Sequence, residues 1–481
     1  MLKMNKIIVN AALLICVGAC GIPNIVEKSP SRKVPQNYAG LEVADSSNMT
    51  EEIWHTYFKD TNLIALIDTA LLNNQELNIA IMEVKIAKNE IREKKGEYLP
   101  FVGIQGSAGM EKVPRYTSQG ANDANTDIDV GKKTPEVLGD FSLGAYATWE
   151  IDIWNKLHNS KKAAVLKYLA SSEGQKFMVT HLISEIANSY YELLALDNQL
   201  AILTKNIAIQ SNALEVVKLQ KKAAKVTELA VKRFEAQVLK TKSIQYDIQQ
   251  RIIETENRIN FLVGRYPQGI KRASASFEAL SLGNVLTGIP SQLLQNRPDV
   301  MEAEMQLEEA KLNVKVAKAN FYPSFRISAS SGLGAFNPAY LVKTPESLLT
   351  SLVGDLTAPL INRNAIKAVY KNANSKQVQA AFNYERTILN AYLEVVNEIS
   401  NIENLANKYK LKSEQVDALN ASVDISNNLF KSARADYMEV LLTQRDALES
   451  KFELIETKKR QLMAMVNVYR ALGGGWRQDI R

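Results

Sequence analysis

Two stretches of this chain almost lack the residues that end helices. Between Trp149 and Val263 there is no proline and a single glycine, Gly174; between Leu360 and Leu472 there is neither. Proline and glycine are the strongest helix breakers, and an ordinary helix is only about 11–12 residues long. Runs of this kind restrict the fold to long helices. Within them Ile183, Ile186, Tyr190, Leu193, Leu196, Leu200, Leu203 and Ile207 step by three or four, and Leu441, Leu448, Ile455, Leu462 and Tyr469 recur every seven. That spacing lays helices side by side as a coiled coil. Around Lys221–Thr227 and Ser432–Tyr437 the apolar stripe gives way to charged and small residues. Each stretch is therefore expected to turn once, as a helical hairpin. A first arm of ~60 residues would span ~90 Å, about three times the apolar thickness of a bilayer, so a tall rod is expected.

Against this background "FYPSFRISASSG", Phe321–Gly332, alternates. Phe325, Ile327 and Ala329 fall on one side, Arg326, Ser328 and Ser330 on the other. The period of two is that of a strand. Four such strands are expected, near Phe101–Glu111, Phe141–Glu150, Ser324–Gly334 and Leu348–Leu356. Their length and their apolar/polar alternation suit transmembrane β-strands, with Trp149 placed as an interfacial aromatic. Four strands cannot close in lipid, where each unpaired backbone group costs several kcal/mol. A membrane reading therefore requires a barrel shared among copies of the chain, with the apolar side of "FYPSFRISASSG" against lipid. Helices flank both hairpins at the same ends, which puts every helix on one side of the membrane.

The chain also repeats itself. At an offset of 223, Leu71, Asn73, Met82, Ala87, Lys88, Lys95, Pro100, Ile104, Ser107 and Gly109 meet identical residues in the second half. At an offset of 209, Ala224, Val231 and Gly264 meet Ala433, Val440 and Gly473. The offset drops where the first half carries the polar insert "KVPRYTSQGANDANTDIDVGKKTPEVLG". An internal duplication is expected, each half reading helix, strand, loop, strand, long helix, turn, helix.

The N-terminus begins with the basic "MLKMNK" and continues "IIVNAALLICVGAC", too short for a membrane-spanning helix and suited to a secretory signal. Its ending resembles a bacterial lipobox, which makes Cys20 the expected lipidation site and removes Cys16 with the signal. An ordinary signal peptide cut near Ala19 is the alternative. Gly21, rather than an aspartate, follows, which in such lipoproteins favours the outer membrane. The expected organisation is a signal peptide over 1–19 and an extended segment over 20–50. A first repeat follows over 51–267, with its strand hairpin at 101–150. A connector at 268–289 leads to a second repeat over 290–472, with its hairpin at 324–357, and a tail over 473–481.

The formal net charge of +6 over 481 residues forms no basic block and gives no case for nucleic acid. Three scattered histidines, His55, His158 and His181, provide no metal-ligand spacing and no Ser/His/Asp set, so neither a cofactor nor an enzyme is expected. "GGGW" lacks the lysine and hydroxyl residue of a phosphate loop and reads as a helix stop.

The run from Tyr437, ending "YRALGGGW", with "NRPDV" at Asn296–Val300 and "WEIDIW" at Trp149–Trp154, resembles the TolC-type outer-membrane efflux proteins, in their lipoprotein (OprM/NodT-like) branch. The resemblance covers essentially the whole mature chain. It implies a mainly α protein with a transmembrane β-barrel, a homotrimer sharing twelve strands, and a long periplasmic α-helical tunnel. It also implies a small equatorial domain drawn from the N-terminal segment, Pro267–Ile289 and the tail after Gly473. Such proteins sit in the bacterial outer membrane, in contact with its lipid. They are exit ducts of tripartite pumps, partnered by a periplasmic adaptor and an inner-membrane RND transporter, and pass drugs or other small toxic compounds outward without catalysis. In the family the tunnel narrows at the turn between the last two long helices. The family pattern there is an aromatic, a glycine, an acidic residue, Val, Leu and a second acidic residue. This chain has Phe430, Ala433, Glu439, Val440, Leu441 and Leu442. It thus departs at the glycine slot and at the second acid, and Asp436 could supply the charge. Asp436, Met438, Glu439 and Leu442 are the expected periplasmic gate, stacked as acidic and apolar rings; the bland alternative is packing and solvation. Two other functions remain open, a related duct for type I polypeptide secretion and a non-conducting coiled-coil envelope scaffold. "YRALGGGW" and the lipobox argue against the first of these.

Overall fold

The structure is a computed structural model and describes residues 22–38, 53–273, 277, 279–280, 287–432 and 434–477. Cys16, Cys20, Ala433 and the last four residues lie outside the described residues. Three helices come first, α1 (Trp54–Tyr57), α2 (Thr61–Asn73) and α3 (Gln75–Glu97). Strand β1 (Phe101–Glu111) follows, then α4 (Ser118–Asp123), the short β2 (Asp127–Asp129) and β3 (Lys132–Lys133), and β4 (Leu138–Ile151). The first long hairpin is α5 (Lys156–Lys222) and α6 (Glu228–Leu262). After α7 (Leu293–Asn296) and α8 (Pro298–Ala319) come β5 (Ser324–Ala335) and β6 (Leu348–Thr357). The second long hairpin is α9 (Asn364–Lys431) and α10 (Tyr437–Ala471). The two hairpins nearly match, 67 and 35 residues against 68 and 35.

The four strands and the two hairpin turns lie where alternation and the lapse of the apolar stripe put them. The insert after β1 is not plain loop: it folds into α4 and the β2–β3 hairpin, pieces too short to show a period in sequence. Contacts divide the chain into two compact units, each drawing on both halves of the sequence. One comprises residues 1–29, 85–169 and 305–381, the other 30–84, 170–304 and 382–481.

The first unit holds a four-stranded antiparallel sheet in the order β1-β4-β5-β6. Its register keeps every strand in phase. Val102, Ala147, Ala329 and Leu352 form an apolar row from edge to edge, and Ile104, Trp149 and Ile327 lie on the same face, which is apolar except for Ser331 and Thr350. The other face carries Ser107 opposite Ser142, hydroxyls 2.8 Å apart, and Tyr146 opposite Ser330. A slip of one residue would invert the faces of a strand. Among the described residues β1 and β6 each pair on one side only. Beyond the sheet, Ile22 and Ile25 pack with Ile366 on a cluster of Val314, Ala317, Phe321 and Tyr370, and Gln377 makes two hydrogen bonds to the backbone of Lys28.

The second unit contains the coiled-coil core. Leu441, Leu448, Ile455, Leu462 and Tyr469 are all buried, as are Ile183, Ile186, Tyr190, Leu193, Leu196 and Leu203. Leu200 and Ile207 are partly buried against the cluster of Leu196, Leu203, Ile248 and Leu448. Asp60 caps α2 by accepting from Asn62 N at 2.8 Å and also accepts the Tyr190 hydroxyl at 2.7 Å. Ser31 N donates to Glu385, and Tyr38 stacks on Tyr392 at 5.7 Å, so residues 31–38 lie along α9.

Candidate functional site

The ends of the two long hairpins are the candidate tip. At the first, α5 stops in a Schellman arrangement. Ala224 N donates to Lys221 O and Lys225 N to Gln220 O, both at 2.9 Å. Ala224 takes φ +56°, left-handed backbone that glycine adopts without a steric penalty. Thr227 then caps α6 through Ala230 N, and Lys221 pairs with Glu228 across the turn. At the second turn Arg434 N donates to Leu429 O at 2.9 Å, the corresponding bond.

Asp436 is the N-cap residue of α10 and is exposed; its carbonyl accepts from Glu439 N at 3.1 Å. Glu439 stands in the first helical turn, where a carboxylate is favoured by the helix dipole. Val440 and Leu441 turn inward: Val440 is buried, and Leu441 joins Leu214, Val217, Val231, Phe234 and Val238. Phe430 and Tyr437 pack on that cluster. Leu442 is left 41% exposed and Glu439 is exposed. Met438 is half-buried, its sulfur contacted by the Arg233 guanidinium. Within α10, Met438 and Leu442 are four apart and Glu439 and Leu442 three apart, so these three share one side of its first turns, while Asp436 stands just before the helix as its N-cap. Arg233 is the participant the sequence did not signal, since it stands 205 residues away in the other hairpin.

The three marker motifs turn out to be joints. Arg297 of "NRPDV" donates to Ala471 O of "YRALGGGW" at 2.7 Å and pairs with Asp299 and Glu394. Trp476 Nε1 donates to Asn296 O at 3.1 Å. Gly473 has φ +92°, and a Cβ there would meet Asn296 O at 2.4 Å, so both the turn and the close approach demand glycine. The first half repeats the joint: Asn74 Nδ2 donates to Leu262 O at 2.9 Å, and a Cβ on Gly264 would meet Asn73 O at 2.4 Å. In "WEIDIW", Trp149 Nε1 donates to Tyr98 O, Trp154 Nε1 donates to Pro323 O, and Asp152 accepts from the first amides of α5 at Leu157 and His158.

Among the described residues no helix is long and apolar enough to cross a membrane. The described residues thus include a sheet with one largely apolar face, whose outer strands pair on one side only, and two long helical hairpins. The profile of the family described as "Outer membrane efflux protein" matches residues 66–265 and 289–474, well over half of the chain. The chain belongs to this outer membrane efflux protein family. It is 27% identical over 476 residues to the pyoverdine export outer membrane protein OpmQ of Pseudomonas aeruginosa, covering 99% of this chain and 98% of OpmQ. It is 26% identical over 454 residues to the cation efflux system protein CusC of Escherichia coli, covering 93% of this chain and 94% of CusC. The open state of the MtrE outer membrane channel of Neisseria gonorrhoeae matches with a TM-score of 0.82 at 21% identity, covering 96% of this chain and 99% of that one. At that identity the likeness concerns the fold.

Proposed function

We propose that three copies of this chain, descended from an internally duplicated ancestor, close a twelve-stranded barrel in the outer membrane and serve as the exit duct of a tripartite efflux pump. The observation that carries this reading is the four-stranded sheet: one largely apolar face and, among the described residues, two edges that pair on one side only, which further copies can satisfy in lipid. The near-equal hairpins and the repeated Asn74–Leu262 and Arg297–Ala471 joints support the duplication. A periplasmic adaptor and an inner-membrane RND transporter are the partners. Transport energy belongs to the transporter, and the duct carries out no catalysis. Relatives named for pyoverdine export, cation efflux and solvent efflux support a cargo of small compounds.

Cys20 is the proposed lipid anchor. Ile22 and Ile25 seat the chain on Phe321 and Tyr370, three residues before β5 begins, which suits an acylated residue two positions upstream. Asp436, Met438, Glu439 and Leu442 form the proposed gate, where like residues from three copies would stack as acidic and apolar rings. The test is conductance from purified full-length protein in a planar bilayer. Discrete steps are expected; a folded, inserted protein with none would leave the scaffold reading standing instead.

A further inference from the structure

The polar face of the sheet is neutral through its middle and charged at its ends, with Asp140 and Glu111 at the end away from the long helices. Through its middle run Gly103, Tyr146, Ser330 and Ser351 in one row and Ser107 and Ser142 in another. At the helix-side end, one row is charged on three adjacent strands. Glu150 of β4 lies opposite Arg326 of β5, and Arg326 lies opposite Asp355 of β6. Arg326 Nη2 stands 3.8 Å from Glu150 Oε2, and its side chain is 61% exposed. Directly opposed unlike charges support each other across strands. The row has two carboxylates for one guanidinium, so one negative charge per chain is left over.

Resting on the shared-barrel reading, we propose that Glu150, Arg326 and Asp355 form a charge-selecting ring at the helix-side mouth of the β-barrel, which favours passage of cationic solutes and disfavours anionic ones. The ring stands on β4, β5 and β6, whereas the proposed gate stands at the start of α10. The repeat of the row in each copy surrounds the lumen with an excess of carboxylate, and rings of charged side chains are how wide pores acquire ion preference. The rows next to it on this face are neutral, and the next charges there, Asp140 and Glu111, stand at the far end of the sheet. Its influence should reach farther as salt is lowered, because the Debye length grows from about 10 Å at 0.1 M to about 30 Å at 0.01 M.

The experiment is the reversal potential of the full-length protein in a planar bilayer under a potassium chloride gradient, at high and low mean salt. Asp355→Asn and Glu150→Gln should each lower the preference for potassium over chloride. Arg326→Gln should raise it, and all three shifts should grow at low salt. A merely structural role in pinning strands would give losses of thermal stability of the same sign for all three and no opposed shifts in selectivity. The same variants in a background carrying Asp436→Asn and Glu439→Gln should keep their shifts, which assigns the effect to the barrel and not to the tip. Conducting variants with unchanged reversal potentials at low salt in both backgrounds would overturn the ring and leave the duct intact. An inserted wild-type protein that conducts nothing would instead bring down the duct, and the ring with it.

Discussion

Glu302, on α8, is half-buried beside Gly174, where a Cβ would come within 3.1 Å of its Oε2. Burial, then the nearby Asp299 and Glu173 carboxylates, raise its pKa above the ordinary glutamate value. The folded chain therefore holds this proton at a pH where the unfolded chain has released it. The resulting stabilisation is full below the unfolded pKa and is lost as pH rises through the raised folded one. Glu302→Gln keeps the shape and removes the ionisation. It should raise the thermal midpoint relative to wild type at pH 7, with the gap closing as pH falls toward 4; a gap independent of pH would assign the effect to packing. Ala224 offers a simpler case. At φ +56° an alanine is strained where glycine is not, against which glycine loses more chain entropy on folding. Ala224→Gly should stabilise by about 0.5–1 kcal/mol, read as a higher midpoint in thermal unfolding. The sequence put Ala224 in register with Ala433, which fills the glycine slot of the pattern this chain resembles, but backbone geometry was needed to see the strain at Ala224.

At the scale of elements, the long helices were legible because a heptad spacing maps directly onto a buried stripe, and Leu441, Leu448, Ile455, Leu462 and Tyr469 are all buried. The sheet was legible because alternation fixes both period and face. The α4 helix and the β2–β3 hairpin were not, since six, three and two residues cannot display a period. Nor was the joint of "NRPDV" with "YRALGGGW", which is made by Arg297 and Asn296 reaching residues more than 170 positions away. At the tip the sequence offered Asp436 and Glu439 as candidates but could not pair Met438 with Arg233. The hairpin end can be tested as an element. Met438→Ala with Leu442→Ala should raise resting conductance and sensitise cells to large antibiotics, with little loss of stability because Leu442 is 41% exposed. Leu203→Ala, deep in the seam, should instead cost about 2–5 kcal/mol and leave conductance per channel unchanged. If the tip pair lowers only the thermal midpoint, Met438 and Leu442 are packing residues and the constriction lies elsewhere.

The whole molecule is decided at two places, the N-terminus and the sheet edges. Replacing Cys20 with Ala should abolish acyl labelling and leave unprocessed precursor; continued labelling would put the lipid on another residue. The edges bear on assembly itself. Within one chain β4 and β5 separate β1 from β6. Three strand spacings of about 4.8 Å put those edges about 14 Å apart, beyond the ~7 Å that a disulfide can bridge. A bond between a cysteine on β1 and one on β6 must then join two chains. Cys16 and Cys20 are the only cysteines in the sequence, and the proposed processing would leave neither as a free thiol to confuse the result. Ser107→Cys on the polar face of β1 can be combined in turn with Leu349→Cys, Ser351→Cys and Val353→Cys on the polar face of β6. Like faces restrict the closing register to every second residue, so these combinations step through successive allowed registers, with Asp355→Cys and Thr357→Cys completing that face of β6. Mild oxidation should then yield bands of two and three chains on a denaturing gel, collapsing to one on reduction, while each single cysteine variant remains one chain. A closed trimer has no fourth partner, so the ladder should stop at three. A ladder running past three would mean that the edges add copies without closing. Accessible thiols at every one of these five β6 positions with no band beyond one chain would show that Ser107 of β1 meets none of that face across copies, and the shared barrel would have to be abandoned.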